Sequence, residues 1–246
     1  MPEINFKEYW QDRDSSMNRE DNTGYYNAKA AEHLAIISQS KVGNSVVDFG
    51  CGAGELLGPF SQGFQGKITG IDFSSSLIDI ARKRPDLAEA NLVESEALKF
   101  ASGTEAPLWM TCGAFNQYSN AEKLTEFIEA FVGNKFAQKL YLFDTIDPVR
   151  VVLLRDDIIE SWKPQRRELG RLRSFVKRWR GLLKAYRCRT SNQSVVQLGD
   201  LGYGVFVGYW FKQASLHPID VKILASAQFE YRYHAVLTKD GSHGKL

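Results

Sequence analysis

Three glycines fall at every second position in Val46-Val47-Asp48-Phe49-Gly50-Cys51-Gly52-Ala53-Gly54-Glu55, directly after a β-branched run that contains Asp48. Glycine removes the side chain and widens the accessible φ/ψ, so such a turn lets a ligand touch backbone. A strand before it and a helix after it put that ligand at the carboxyl end of the first strand, where open α/β sheets bind small molecules. A dinucleotide loop spaces its glycines as Gly-x-Gly-x-x-Gly. Here the third glycine comes one position early, and a carboxylate stands two residues before the first. A carboxylate there suits a cationic ligand end better than a phosphate. Asp72 follows Gly50 by 22 residues and closes Thr69-Gly70-Ile71-Asp72-Phe73-Ser74. An acid at that distance can accept hydrogen bonds from two ribose hydroxyls, and Phe73 offers an apolar face to a purine. Together these describe an adenosine ligand carrying a charged, non-phosphate group. The ligand-free alternative is a tight strand–helix turn and a helix-capping aspartate.

On these residues the stretch 46–145 resembles the class I S-adenosylmethionine-dependent methyltransferases. Asp48-x-Gly50-x-Gly52-x-Gly54 matches their first motif, and Ile71-Asp72-Phe73-Ser74 through Ala81-Arg82 their second. The resemblance implies S-adenosyl-L-methionine as cofactor. Gly50, Cys51 and Gly52 would line its methionine part, Asp48 would hold its amino group, Asp72 the ribose and Phe73 the adenine. The family's acidic residue and alanine near the adenine amino group correspond best to Glu96-Ala97, where Glu replaces Asp; a solvated helix start is the competing reading of Glu96. Cys112-Gly113, after the fourth strand, resemble the small-residue turn under the sulfonium. The Asn/Asp-Pro-Pro-aromatic signature of nucleic-acid and amide nitrogen methylators is absent from Met110–Tyr118.

Transfer from a sulfonium is an in-line displacement in which the cofactor carries the reactive chemistry. A hydroxyl acceptor also needs a proton removed. Asp144, taken as the end of the fifth strand, ranks first as a base. His217 reads as the end of a helix and His234 as a satisfied strand residue. Cys112 has no partnered base in sequence and reads as small filler. No metal site is expected, because no cysteine/histidine cluster of ligand spacing exists.

The elements that position these residues alternate. Ser45–Phe49, Lys67–Ile71, Asn91–Glu94, Leu108–Cys112 and Lys139–Phe143 read as strands, with helices at Glu55–Ser61, Ser75–Arg84 and Ala121–Val132 between them. This rhythm means a parallel sheet with right-handed crossovers. A helix at Tyr209–Leu216 and an antiparallel pair, Val221–Ala225 and Tyr231–Lys239, follow. The expected fold class is α/β: a doubly wound, mostly parallel seven-stranded sheet with an antiparallel C-terminal strand and a basic helical insert after strand 5. Residues 1–246 read as a single methyltransferase domain. It comprises an N-terminal helical flap (1–44), a cofactor-binding half (45–147), a helical cap (148–200), and a C-terminal helix with edge strands (201–246).

Composition agrees with a packed globule: 43% hydrophobic and 24% charged residues over 246 exclude disorder and low complexity. No apolar run approaches the ~20 residues of a membrane-spanning helix. The first five residues show neither a basic nor an apolar signal region, so no secretory signal is expected. Cys51, Cys112 and Cys188 are odd in number and far apart, which favours a reduced cytoplasmic setting.

The net charge of +2 conceals an asymmetry: residues 163–189 hold 11 Lys or Arg against Glu168 alone. Leu169, Leu172, Phe175, Val176, Trp179, Leu182, Leu183 and Tyr186 recur there at helical spacing. The plain reading is an amphipathic helix with solvated charges. The functional readings are a lid for an anionic acceptor, a peripheral membrane contact, or a nucleic-acid track, the last disfavoured because no recognisable module appears. Tyr209-Trp210-Phe211 could line the acceptor pocket, and Tyr9-Trp10 with Tyr25-Tyr26 could close over the cofactor. The functional expectation is methyl transfer to a small-molecule, saccharide or lipid-linked acceptor, foremost at oxygen. The alternatives are an RNA methyltransferase and a non-catalytic cofactor-binding partner subunit.

Overall fold

The computed structural model describes residues 23–40, 42–114, 121–155, 195–198, 203–229 and 231–239. Its elements in chain order are α1 (Thr23–Ser38), β1 (Ser45–Phe49), α2 (Leu57–Gly63), β2 (Lys67–Asp72), α3 (Ser75–Arg82), β3 (Asn91–Glu94), α4 (Ala97–Ala101) and β4 (Leu108–Cys112). There follow α5 (Ala121–Gly133), β5 (Lys139–Ile146), α6 (Pro148–Arg155), β6 (Val195–Gln197), β7 (Tyr203–Val205), α7 (Val207–Leu216), β8 (Ile219–Ala225) and β9 (Arg232–Lys239).

Seven strands form one sheet in the order β3-β2-β1-β4-β5-β9-β8. β1 to β5 run parallel, and β9 lies antiparallel between β5 and the edge strand β8. This is the expected fold. Strand order reverses at β1, so the crevice for a ligand opens between the carboxyl ends of β1 and β4.

Strand residues alternate between the two faces, and both faces are covered. Val47, Phe49, Trp109, Leu140 and Leu142 pack toward α5 and α7, where Phe127 and Trp210 complete one core. Val46, Met110, Tyr141 and Phe143 join Ala30, Leu57, Phe60 and Ile78 in the other, under α1, α2 and α3. Phe49 touches Trp109 and Phe127 at centroid distances of 5.0 and 4.9 Å. Each such fully buried ring contributes roughly 1.5–3 kcal/mol, so the floor of the crevice is rigid. Ser74 caps α3, its hydroxyl accepting from the Leu77 N–H.

Three sequence expectations need correction. α2 begins at Leu57 rather than Glu55, because Gly54 first turns back to donate to the Cys51 carbonyl at 3.1 Å. β5 runs on to Ile146, so Asp144 lies inside a strand rather than at its end. A β-bulge at that point shifts the β5–β9 register between Leu142 and Thr145 and lets Asp144 adopt φ 55°. Val195–Gln197, within the expected helical cap, pairs instead with β7 as a two-stranded ribbon. The basic stretch 163–189, Tyr9-Trp10 and Cys188 lie outside the described residues.

Candidate active site

The glycine turn wraps over the end of β2. The Gly50 and Cys51 N–H groups both donate to the Ile71 carbonyl, at 2.8 and 2.9 Å. Gly50, Gly52 and Gly54 all have positive φ (82°, 58° and 79°), which an L side chain rarely adopts. Asp72 fastens this turn: one carboxylate oxygen accepts from Gly52 N–H at 3.0 Å, the other from Ser74 N–H at 2.9 Å. Burial raises its proton affinity, and these backbone donors partly offset that.

Asp48 is 3% exposed on β1 beneath the turn, and its Oδ1 has no hydrogen-bond partner. Burial, reinforced by the charge of Asp72, pushes its carboxyl up to about 7. A buried carboxylate without a partner is costly, and an ammonium group from a ligand would satisfy it. Phe73 follows β2, half-buried. Ser95 N–H donates to the Asp72 carbonyl at 2.9 Å, which sets Glu96 and Ala97 beside Asp72 at the start of α4. Cys51 is buried, with its thiol raised by desolvation. Gly113 follows β4 with φ 71° and open space where a Cβ would stand. The structure thus gathers Asp48, Gly50, Cys51, Gly52, Asp72, Phe73, Glu96, Ala97, Cys112 and Gly113 at one end of β1, β2, β3 and β4. A cation-bearing adenosine ligand fits them: an unpartnered carboxylate, a fastened glycine turn and a side-chain-free gap at Gly113.

Asp144 has a different setting. It is fully buried and paired with Lys29 of α1 and with Arg232 of β9, the latter at 3.4 Å. Burial opposes its charge, but Lys29 and Arg232 outweigh burial and hold it below the usual carboxylate range. Cys112 joins the cluster, its Sγ 3.7 Å from both the Lys29 ammonium and Asp144 Oδ2. Desolvation pushes that thiol up to about 12, so it is neutral and Asp144 is what balances Lys29. Cys112 is therefore a polar neighbour and not only small filler.

His234 Nδ1 accepts the Asp144 N–H at 3.1 Å, so its other nitrogen carries the proton and donates to Glu32 of α1 at 2.8 Å. Glu32 also accepts from Ala227 N–H at 2.6 Å. His33 stacks on Phe143 with neither ring nitrogen partnered, and burial lowers it to about 3. His33, Cys112 and Asp144 place ligand atoms within 4.8 Å of one another, but the Lys29 ammonium already serves as the cation there. Sequence reading missed Lys29, Glu32 and Arg232. Their only signal was charge within otherwise apolar stretches.

α1 thus carries a latch to the β5 bulge, and its first turn holds Tyr25 and Tyr26. Burial, then the field of Glu55, pushes Tyr26 up to about 12. On the opposite face, Tyr209 and Trp210 are buried while Phe211 is exposed. His217 ends α7, as expected.

Residues 46–132 match the family described as "Methyltransferase domain". No curated protein matches the chain by sequence. Among solved structures, magnesium protoporphyrin IX methyltransferase from Synechocystis PCC 6803, crystallised with bound S-adenosylmethionine, superposes with a TM-score of 0.58 at 11% identity, over 98% of this chain and 100% of that one. DesVI from Streptomyces venezuelae does so with 0.56 at 14%, over 87% and 92%. The plantazolicin methyltransferase BpumL, in complex with a monoazolic desmethylPZN analog and SAH, gives 0.53 at 14%, over 96% and 89%. At these identities the likeness to solved structures is one of fold. Residues 46–132 thus match a methyltransferase domain, and the fold around them is the one that these methyltransferase structures share.

Proposed function

We propose that the chain methylates a small-molecule or lipid-linked acceptor at an oxygen that is already ionised, such as a carboxylate or an acidic phenol. The observation that carries this reading is Asp144, the only carboxylate the sequence offered as a base. Two cations hold it in its charged form with little affinity for a substrate proton. An effective base needs a proton affinity near the working pH. Asp144 is better suited to be the buried counter-ion that fixes α1 against the bulge.

When bound, S-adenosylmethionine supplies an electrophilic methyl group on a sulfonium, and the protein's task is alignment. Asp48 would hold the ammonium end and Asp72 the ribose. Phe73 and Glu96-Ala97 would flank the adenine, with Cys112-Gly113 beneath the reacting centre. α1 would exclude water on one side. Neighbours named for magnesium protoporphyrin IX and plantazolicin support a small-molecule or peptide acceptor on this fold.

Methyl-labelled cofactor with a panel of carboxylic acids, phenols, alcohols and RNA tests the reading. Transfer to acids or phenols is expected, with a pH profile that follows the acceptor's own ionisation. Transfer confined to RNA or to unactivated alcohols would overturn it.

A further inference from the structure

β8 (Ile219–Ala225) closes the sheet at the end away from β3, and among the described residues no strand pairs with its outer edge. Lys239 of β9 donates its N–H to the Gln138 carbonyl on the β5 side, and Ser226 donates to the Arg232 carbonyl of β9 at 3.4 Å. The β8–β9 ladder runs from Ile219 opposite Lys239 to Ala225 opposite Tyr233 without a shift. Peptide groups alternate in direction along a strand. Asp220, Lys222 and Leu224 therefore bond to β9, while Val221, Ile223 and Ala225 turn their N–H and C=O groups outward. Seven residues without a proline or a bulge make a ready template for another strand.

The side chains of this edge single out one register. Asp220 and Lys222 are both exposed and share a face with Leu224, which packs toward the core under α1, α2 and α3. Ile219, Val221 and Ile223 pack toward the α5 and α7 core. Leu216, three residues before β8 at the end of α7, is 63% exposed. A strand that pairs antiparallel with its own copy has a two-fold axis through one residue. An axis at Val221 sets Asp220 against the partner's Lys222 and Lys222 against the partner's Asp220. Val221 then exchanges two backbone hydrogen bonds with the partner's Val221. The charged pairs fall at the non-hydrogen-bonded positions, where side chains approach most closely. An axis at Lys222 would oppose two lysines, which is destabilising. An axis at Ile223 would leave Lys222 facing the partner's Leu224 and Asp220 facing the partner's Ser226, with neither charge paired.

We propose that the outer edge of β8 is a self-association surface, on which a second copy of this chain docks antiparallel about Val221 and joins the two seven-stranded sheets into one. The occupant is a second copy because the exposed charges of the strand complement themselves under that two-fold, as an isologous interface requires. The outward peptide groups of Val221 and Ile223 find their counterparts in the same register, and the exposed Leu216 of each copy adds apolar area beside the paired strands. The glycine turn follows β1, four strands away in the sheet, so the two copies meet far from the groups assigned to the cofactor.

Sedimentation velocity of the full chain over the micromolar range tests this, with circular dichroism to confirm that each variant is folded. The wild type is expected to sediment with the mass of two chains. Val221→Pro removes an outward N–H and leaves the bonds to β9 in place, so it should yield a folded monomer. Asp220→Lys and Lys222→Asp change exposed side chains only. Each should raise the dimer dissociation constant by about tenfold or more, because like charges then stand opposite one another. Mixed together, these two variants should associate with near wild-type affinity, since the lysines of one copy face the aspartates of the other. That rescue carries the test even where Val221→Pro fails to fold. A wild type that stays monomeric throughout the range, a dimer that persists in folded Val221→Pro, or a mixture no tighter than either charge variant alone would overturn the proposal.

Discussion

Replacing Asp48 by Asn should make the ligand-free protein more stable at high pH and a weaker binder of its cofactor. In the folded chain burial and Asp72 lift the Asp48 carboxyl from 3.8 to about 7, so folding takes up a proton on this group between those values. The stability associated with this group is fully present below the unfolded pKa and declines as pH rises through the folded one. A shift of about three units corresponds to about 4 kcal/mol, lost at about 1.4 kcal/mol per pH unit between roughly pH 4 and 7. Asn cannot ionise and removes that slope. Its own buried amide, lacking a partner, subtracts a constant ~1–3 kcal/mol, so the slope and not the absolute value carries the prediction. Urea unfolding of both proteins at half-unit steps from pH 4.5 to 8.5 measures it. The stability of Asp48→Asn relative to wild type should climb by a few kcal/mol across that window and level off above pH 7.5. Parallel curves would refute the reasoning, because they would mean that Asp48 is already ionised and compensated at pH 5.

Other perturbations follow from the same geometry. Asp72→Ala should weaken S-adenosylhomocysteine binding by roughly 1–3 kcal/mol and loosen the glycine turn, seen by calorimetry and by faster exchange of the Gly52 amide. Lys29→Met removes one of the two cations paired with the buried Asp144 and should cost about 3–5 kcal/mol in denaturant unfolding. The double variant Lys29→Met, Asp144→Leu should recover part of that loss, whereas purely additive losses would show that the pair is not coupled. The buried Tyr233 hydroxyl donates to the Val205 carbonyl and accepts from the Trp210 indole, both at 2.7 Å, so Tyr233→Phe removes both bonds and should cost about 2–4 kcal/mol by the same measurement. Replacing Arg171, Arg173 and Arg178 together should leave cofactor affinity unchanged; a collapse in calorimetric titration would make 163–189 part of the cofactor site.

The strands and the glycine turn were legible because their signals are local. β-branched runs of four to six residues, a Gly-x-Gly-x-Gly turn and an acid at the end of the second strand are all contained within single elements. The role of Asp144 was not legible. It is set by Lys29 and Arg232, 115 positions before and 88 after, and by a bulge that exists only once β5 and β9 pair. Glu32 and His234 are 202 positions apart and meet only because α1 packs over that bulge. The β6–β7 ribbon was obscured because three-residue strands carry no measurable period.

The central claim is that the Asp48–Gly54 turn with Asp72 holds S-adenosylmethionine. Calorimetric titration of the folded protein with S-adenosylhomocysteine, with NAD as the control, tests it most directly. Micromolar binding of S-adenosylhomocysteine alone, lost in Asp48→Asn, is the predicted result. Binding of NAD instead, or no binding by a folded sample, would contradict it.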